Sequence, residues 1–339
     1  MAQEYGHYTI ELSLQTPLIT PLQSDTIFGH ICWAIRYLQW EQQDKLPEIL
    51  NNFKEMEPPP LLVSNGFPKG FLPKPIIAPV NQKVIDKLFG HEERIKSSFR
   101  IKEIKNSTLI PKQRFLHLQK ETITPERLFE EMKACYKDLE ILSEKTQSMV
   151  VQHNTIDRIK GRVKNGGLYS QEETFFEESF GNHIIYLKTN CFAKEDLLRI
   201  FTFISKSGFG RDKSTGKGSF TFNIHEGIDL LEAQNPNAFM TLSSYIPTEN
   251  DPTKGYYNIV HKFGKLGGIY AKGVSEVNGN PFKVPLIMFS AGSVFYDEEY
   301  KPGKVYGSLL NKVHQNEAIR HYAYAFPIGV NIEGSHEDI

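Results

Sequence analysis

The residues with the plainest capacity for chemistry stand between Ser207 and Phe220, in SGFGRDKSTGKGSF. Gly208, Gly210, Gly216 and Gly218 are interleaved there with the cations Arg211, Lys213 and Lys217 and the hydroxyls Ser214, Thr215 and Ser219. Glycines let a backbone approach a ligand closely, and N–H groups beside cations attract anions. Phosphate is the expected ligand, carried by a nucleotide or by a nucleic-acid backbone. Two nucleotide folds fail on spacing. A Walker A loop requires Ser or Thr after its Gly-Lys, and Gly218 follows Lys217. A dinucleotide fingerprint requires a third Gly where Lys213 stands, and it runs from strand to helix. Here a helical pattern precedes the loop and a strand pattern follows it. A nucleic-acid backbone remains, with a solvated turn as the plain structural alternative.

Other candidates lie elsewhere. QHNTIDRIKGRVKNGGLYSQEETFF is expected to be a hairpin, made basic by Arg158, Lys160, Arg162 and Lys164, with Asn154 beside them and Gly166-Gly167 at its turn. Ile156, Ile159 and Tyr169 are suited to wedge or stack against an unpaired base; Asp157 suits a local turn bond as well as any ligand. In TPLQSDTIFGHICWAI, Gln23 and Ser24 stand at a helix start, where N–H groups attract anions, and Asp25 is expected to cap. His30 has two readings: a general acid/base for metal-independent RNA cleavage, or a half-buried ring between Ile27 and Ile31. Lys262, Lys265 and Lys272 surround Gly264, Gly267 and Gly268, whose glycines a strand bend explains equally well. Residues 91–120 carry eight Lys or Arg and three Glu around Phe99 and Phe115, a pattern of a solvated face or of a groove extension. The eleven histidines form no HExxH or HxH, and the three cysteines stand far apart, so neither metal nor cofactor is expected.

These segments need elements to position them. HYTIELSLQ alternates as a strand, and DTIFGHICWAIRYLQW repeats its apolar residues at helical spacing. EETFFEESF and HIIYLKTN read as two strands joined by a short turn, AKEDLLRIFTFISKSG as a helix and SFTFNIHEG as a strand. The order strand, helix, strand, strand, helix, strand is the ferredoxin-like βαββαβ unit. It predicts an α+β fold. Residues 1–235 form a first ferredoxin-like (RRM-like) domain with an insertion at about 41–149, whose Pro- and Gly-rich EMEPPPLLVSNGFPKGFLPKPIIAPV is expected as surface loop. Residues 236–339 form strand-like runs with little helical signal, a degenerate second copy. Net charge is −1 across 339 residues, so a nucleic-acid site must be a local patch. The separated cysteines fit a reducing compartment, and no apolar run approaches the ~20 residues of a membrane helix, so the expected location is cytoplasmic.

With the Gly-rich loop after the second helix of such a unit, the chain resembles the RAMP proteins, RNA-binding subunits of CRISPR effectors. TPLQSDTIFGHICWAI, NTIDR followed by GGLYSQEETFF, and the C-terminal GKLGGIYA, MFSAGSVF and AYAFPIGV are similar to the subunit that caps the crRNA 5′ end in type III-A (Csm) complexes. The resemblance leaves roughly residues 41–149 unmatched. It implies a non-catalytic scaffold in antiviral defence that holds the crRNA 5′ handle. Its partners would be the large polymerase-palm subunit and the repeated backbone RAMP subunit, and indirectly target RNA. It also implies that the hairpin is a thumb. The RNA-binding residues it implies are Gly208, Gly210, Arg211, Lys213, Ser214, Thr215, Gly216, Lys217 and Gly218 of the loop, Gln23 and Ser24, Asn154, Ile156, Arg158, Arg162 and Tyr169 of the hairpin, and Lys265 and Gly267 near the C-terminus.

Overall fold

The alternation in GHYTIELSL forms β1 (Gly6–Leu14), which buries Ile10 and Leu12 on one face. A loop leads into α1 (Ser24–Leu38), where helical spacing buries Ile27, Ile31, Ala34 and Ile35. The computed structural model describes residues 4–38, 45–90, 97–177, 180–272 and 280–333. After α2 (Leu46–Glu55) come the short strands β2 (Leu61–Val63), β3 (Phe67–Pro68) and β4 (Phe71–Pro73). Helices α3 (Gln82–Phe89) and α4 (Ser98–Asn106), strand β5 (Leu109–Pro111), and helices α5 (Lys112–Leu118), α6 (Pro125–Ala134) and α7 (Tyr136–Lys145) follow. The long strands β6 (Thr146–Asp157) and β7 (Arg162–Phe176) pair with each other. Then β8 (Asn182–Thr189), α8 (Lys194–Ser207) and β9 (Phe220–Glu226) complete the first half.

The first sheet runs β2-β8-β1-β9, with β3 also on β8 and every neighbour antiparallel. Registers Ile10↔Ile185 and Ile10↔Ile224 put three isoleucines on one face. They join Leu197, Ile200, Phe201 and Ile204 of α8 and the buried stripe of α1 in one core. The Asp196 carboxylate accepts the Ala193 N–H at 3.1 Å and fixes the start of α8.

Two expectations change here. Glu172–Phe176 is a strand, but it pairs with β6 rather than entering the sheet beside β8; residues 178 and 179 of that segment lie outside the described residues. Its place in the sheet is taken by Leu61–Val63, from the stretch expected as surface loop. The reason is burial: Leu61, Leu62 and Val63 are at most 2% exposed, and three such residues satisfy a short strand among flanking prolines.

The second half holds a four-stranded antiparallel sheet, β11 (Gly255–Tyr256), β14 (Val294–Tyr296), β10 (Ala238–Thr241) and β17 (Pro327–Val330) in that order. Two ribbons accompany it: β12 (Ile259–Lys262) with β13 (Leu286–Phe289), and β15 (Gly307–Leu310) with β16 (His321–Tyr324). Among its described residues there is no α-helix, only a 3-10 turn at Gly268–Lys272. The halves share a core. Tyr322 accepts the Val63 N–H at 2.9 Å, and the Gln119 amide donates to Leu231 and Gly329 carbonyls. Among the described residues no helix is long and apolar enough to cross a membrane.

Candidate nucleic-acid interface

The Gly-rich loop leaves α8 at Gly208, folds into a 3-10 turn at Lys213–Thr215 and returns into β9. It is tied down along its length. Phe209 donates to the Gly218 carbonyl at 2.8 Å, and Gly218 donates to Pro17 at 3.0 Å. Gly210 donates to His30 Nε2, Arg211 to Thr20 Oγ1 and Ser219 to Thr16 Oγ1. The N–H groups of Thr215, Gly216 and Lys217 turn inward onto Asp212 and Lys213 carbonyls. So the expectation that the loop's N–H groups face an anion is corrected: these are spent on holding its shape. Gly218 shows why glycine is needed. Its φ is +65°, and a Cβ there would lie 2.0 Å from the Phe209 oxygen.

What the loop presents is side chains. Arg211 is exposed, and Ser214, Thr215 and Gly216 form the outer turn. Thr215 Oγ1 donates to the Asp212 carbonyl at 2.8 Å, whereas the Ser214 hydroxyl of the same turn has no partner among the described residues. Lys213 is partly buried, and burial lowers its pKa. Lys217 is spoken for: it pairs with Glu173 of β7, whose side chain is 0% exposed.

That pair belongs to a seam between loop and hairpin. Glu173 lies 3.3 Å from His153 Nε2, His153 stacks on Tyr169, and Arg211 sits 6.0 Å above the Tyr169 ring. Gln171, 5% exposed, donates to the Asp212 carboxylate at 3.0 Å. Thr174 and Leu18 exchange two backbone hydrogen bonds, so the hairpin root is also stitched to the β1–α1 connection. Alternation puts His153, Tyr169, Gln171 and Glu173 on one face, toward the loop. Val150, Asn154 and Leu168 take the other face, and all three are exposed.

Beyond the seam the hairpin projects. Its turn is at Arg158–Gly161, with Gly161 at φ +59°, not at Gly166-Gly167 as expected. Gly166 and Gly167 fall inside a register shift, where Asn154↔Leu168 gives way to Ile156↔Val163. Asp157 accepts the N–H groups of Ile159 and Lys160, a local turn role. Ile159 at the tip is 97% exposed and Ile156 59%. Arg158, Lys160 and Arg162 are exposed, with no ion pair among the described residues; the Lys164 side chain lies outside those residues.

The remaining predicted residues divide. Ser24 is 0% exposed; its N–H goes to Asn65 Oδ1 at 2.8 Å and its hydroxyl to the Ser244 carbonyl, so it joins the halves and presents nothing to a ligand. Gln23 and Asp25 hold Lys262, which donates to Gln23 Oε1 at 2.6 Å and to the Asp25 carboxylate at 2.9 Å. Lys265 is exposed over Phe282, 5.9 Å from its ring. Gly267 serves packing, because a Cβ there would lie 2.8 Å from Trp33 Nε1. The Lys272 side chain lies outside the described residues. In residues 98–120, Phe99 is 70% exposed and Phe115 fully buried, while Arg114 pairs with Glu131 and Lys112 with Asp229.

His30, stacked on Phe209 at 4.5 Å, accepts the Gly210 N–H through Nε2. Burial, helped by Lys213, lowers its pKa to about 3. One of its two ring nitrogens, Nε2, is thus engaged in holding the loop. Sequence reading missed Glu173, Gln171 and His153, which sit at alternate positions of a hairpin whose turn was expected at Gly166-Gly167, a placement that gives a different register; the period of two was the available signal.

Comparison with known proteins agrees with this layout. No curated protein matches the chain. Over 97% of its length it superposes on a chain of the crystal structure of a Csm1-Csm4 cassette in complex with pppApA, covering 100% of that chain at 18% identity and TM-score 0.54. Over 96% it superposes on a chain of a Csm3-Csm4 subcomplex of the type III-A CRISPR-Cas interference complex, covering 99% of that chain at 15% identity and TM-score 0.52. At these identities the likeness is one of fold. The family model of the RAMP superfamily matches residues 19–221, which span α1, the hairpin, the Gly-rich loop and the start of β9, and the chain belongs to the RAMP superfamily.

Proposed function

We propose that the chain is a non-catalytic RNA-binding scaffold subunit of a type III-A CRISPR interference complex, gripping the crRNA 5′ handle through the Gly-rich loop and the β6–β7 hairpin. The observation that carries this reading is the seam joining the two. It sets exposed Arg211 and Tyr169 beside a projecting hairpin whose tip carries Arg158, Lys160, Arg162 and the almost fully exposed Ile159. Cations meet phosphates, and the apolar tip meets an unstacked base. The strand order β2-β8-β1-β9 supports a ferredoxin-like first domain, the second being a degenerate derivative with no α-helix among its described residues. The Csm1-Csm4 and Csm3-Csm4 assemblies of the similar structures support a large subunit and a backbone subunit as partners.

The test is RNA affinity of the chain in complex with its large-subunit partner, with and without the handle, across a salt series. Handle RNA should bind more tightly, with a log–log salt slope of about −0.7 per phosphate neutralised. Equal affinity for both RNAs would remove the handle from the reading.

A further inference from the structure

A cleft of about 760 Å³, lined by no residue of the Gly-rich loop, lies between α6, the segment 73–80 and the C-terminal strands. Its size is that of a small-molecule site. The walls are apolar: Phe67, Ile77, Val80, Phe129, Met132 and Val260. Into this surface come a few polar groups with hydrogen-bonding capacity to spare.

Lys74 is the most telling. Its ammonium donates to the carbonyls of Ile104 and Lys105 at the end of α4, at 3.3 and 2.9 Å, which leaves one N–H over. Among the described residues no carboxylate pairs with it, although it is partly buried. Burial lowers its pKa to about 8. A desolvated cation without a counter-charge is costly, and an anion in the cleft would offset that cost. At the start of α1, Asn65 Oδ1 accepts from Ser24 and Ser244, while its NH2 group makes no hydrogen bond among the described residues. Ser244 and Ser290 line the same cleft, and neither hydroxyl has a partner among the described residues.

We propose that this cleft is a second ligand site that takes a single nucleotide, free or as an unpaired residue of a strand. The phosphate meets Lys74, the heteroaromatic ring lies on the apolar walls, and its edge or the ribose meets the Asn65 amide and the serine hydroxyls. A peptide strand fits less well, because the unspent groups are side-chain donors and one cation rather than a row of backbone partners.

The experiment is calorimetric titration of the full chain with adenosine and uridine 5′-monophosphates, with adenosine alone and inorganic phosphate as controls. At least one monophosphate should bind, with its nucleoside and phosphate at least tenfold weaker. Lys74→Gln should weaken the monophosphate tenfold or more, and Ala291→Phe, which fills the cleft, should abolish binding; if Ala291→Phe fails to fold, Lys74→Gln still decides. Arg211→Ala should leave this titration unchanged, so its outcome is separable from the fate of the loop's RNA-binding role. Single-stranded RNA that displaces the monophosphate identifies a strand as the source; failure to displace identifies a free nucleotide. No binding of either monophosphate, or affinity unaltered in Lys74→Gln, overturns the proposal.

Discussion

Glu173 and Lys217 make an ion pair whose two halves should not cost the same to remove. The Glu173 side chain is 0% exposed and that of Lys217 25% exposed. Glu173→Gln keeps the shape and strands an ammonium that swings toward water, so the loss is about 1 kcal/mol. Lys217→Met strands a carboxylate that has no route to solvent, with His153 at 3.3 Å as its remaining polar neighbour. Removing one partner of a buried pair costs about 3–5 kcal/mol, and the lower end applies because Lys217 reaches the surface. The difference of ~2 kcal/mol is roughly thirtyfold in the folded-to-unfolded ratio. Urea denaturation of both single variants and the double variant reads it directly. The double variant should be more stable than Lys217→Met alone, since the stranded charge is gone. If Lys217→Met costs no more than Glu173→Gln, or if the two losses simply add, Glu173 is not the buried anchor described above.

Three further outcomes follow from the same geometry. Arg211→Ala and Arg158→Ala should each reduce the magnitude of the RNA salt slope by about 0.7, since the Asp212 carboxylate 3.8 Å from Arg211 makes only a long, exposed pair, whereas Lys217→Met, its charge held by a carboxylate that is 0% exposed, should reduce it by much less; equal changes in salt titrations would contradict this. Ile159→Asp should change the unfolding free energy measured in urea by less than about 0.5 kcal/mol, because the side chain is 97% exposed, yet weaken handle RNA in a filter-binding assay. The pH dependence rests on His30, His183 and His321, whose pKa values burial lowers to about 3, 4 and 4. The unfolded chain takes up protons below about 6.5 while the folded one does not. Their stabilisation is therefore complete above that pH and drains away as pH falls toward the folded values, by about 1.4 kcal/mol per unit for each ring. Denaturation midpoints at pH 7 and 5 should show the fall, and His30→Gln should remove about a third of it.

Much of the first half was legible in the sequence because its elements announce themselves locally. The stripes of α1 and α8 and the alternation of β1 bury the residues their spacing indicated. What escaped was pairing over long range. Leu61–Val63 is too short to show a period and stands among prolines, so only the sheet reveals it as a strand. Glu172–Phe176 shows a strand's alternation, but alternation does not name a partner, and its partner was β6. The hairpin turn was misplaced for a related reason: Gly166-Gly167 has the chemistry of a turn, and Asp157 with Gly161 has it too, with the carboxylate capping two N–H groups. At the site, residue types were read well and commitments were not. Ser24, Lys217 and Gly267 have the right chemistry for RNA and spend it inside the protein.

Those commitments bear on how recognition can work here. A Gly-rich loop that binds phosphate through its backbone must leave N–H groups free, and this one directs most of them onto His30, Thr20, Thr16, Pro17 and its own carbonyls. The glycines therefore build a platform held by hydrogen bonds, and under the proposed function the RNA contact would fall to the side chains of Arg211, Lys213 and Ser214. The platform is bolted to the hairpin through Glu173 and Gln171, so the spacing between Arg211 and the hairpin's exposed cations is set by folded structure rather than by the ligand. A site with preset spacing between charges favours a strand of one path over a diffuse polyanion, since the ordering cost of the protein is met before binding. Loosening the seam by Glu173→Gln should accordingly reduce discrimination between handle RNA and an unrelated strand more than it reduces affinity for the unrelated strand. Competition binding of the two RNAs measures that ratio, and a ratio unchanged from wild type would show that loop and hairpin act independently.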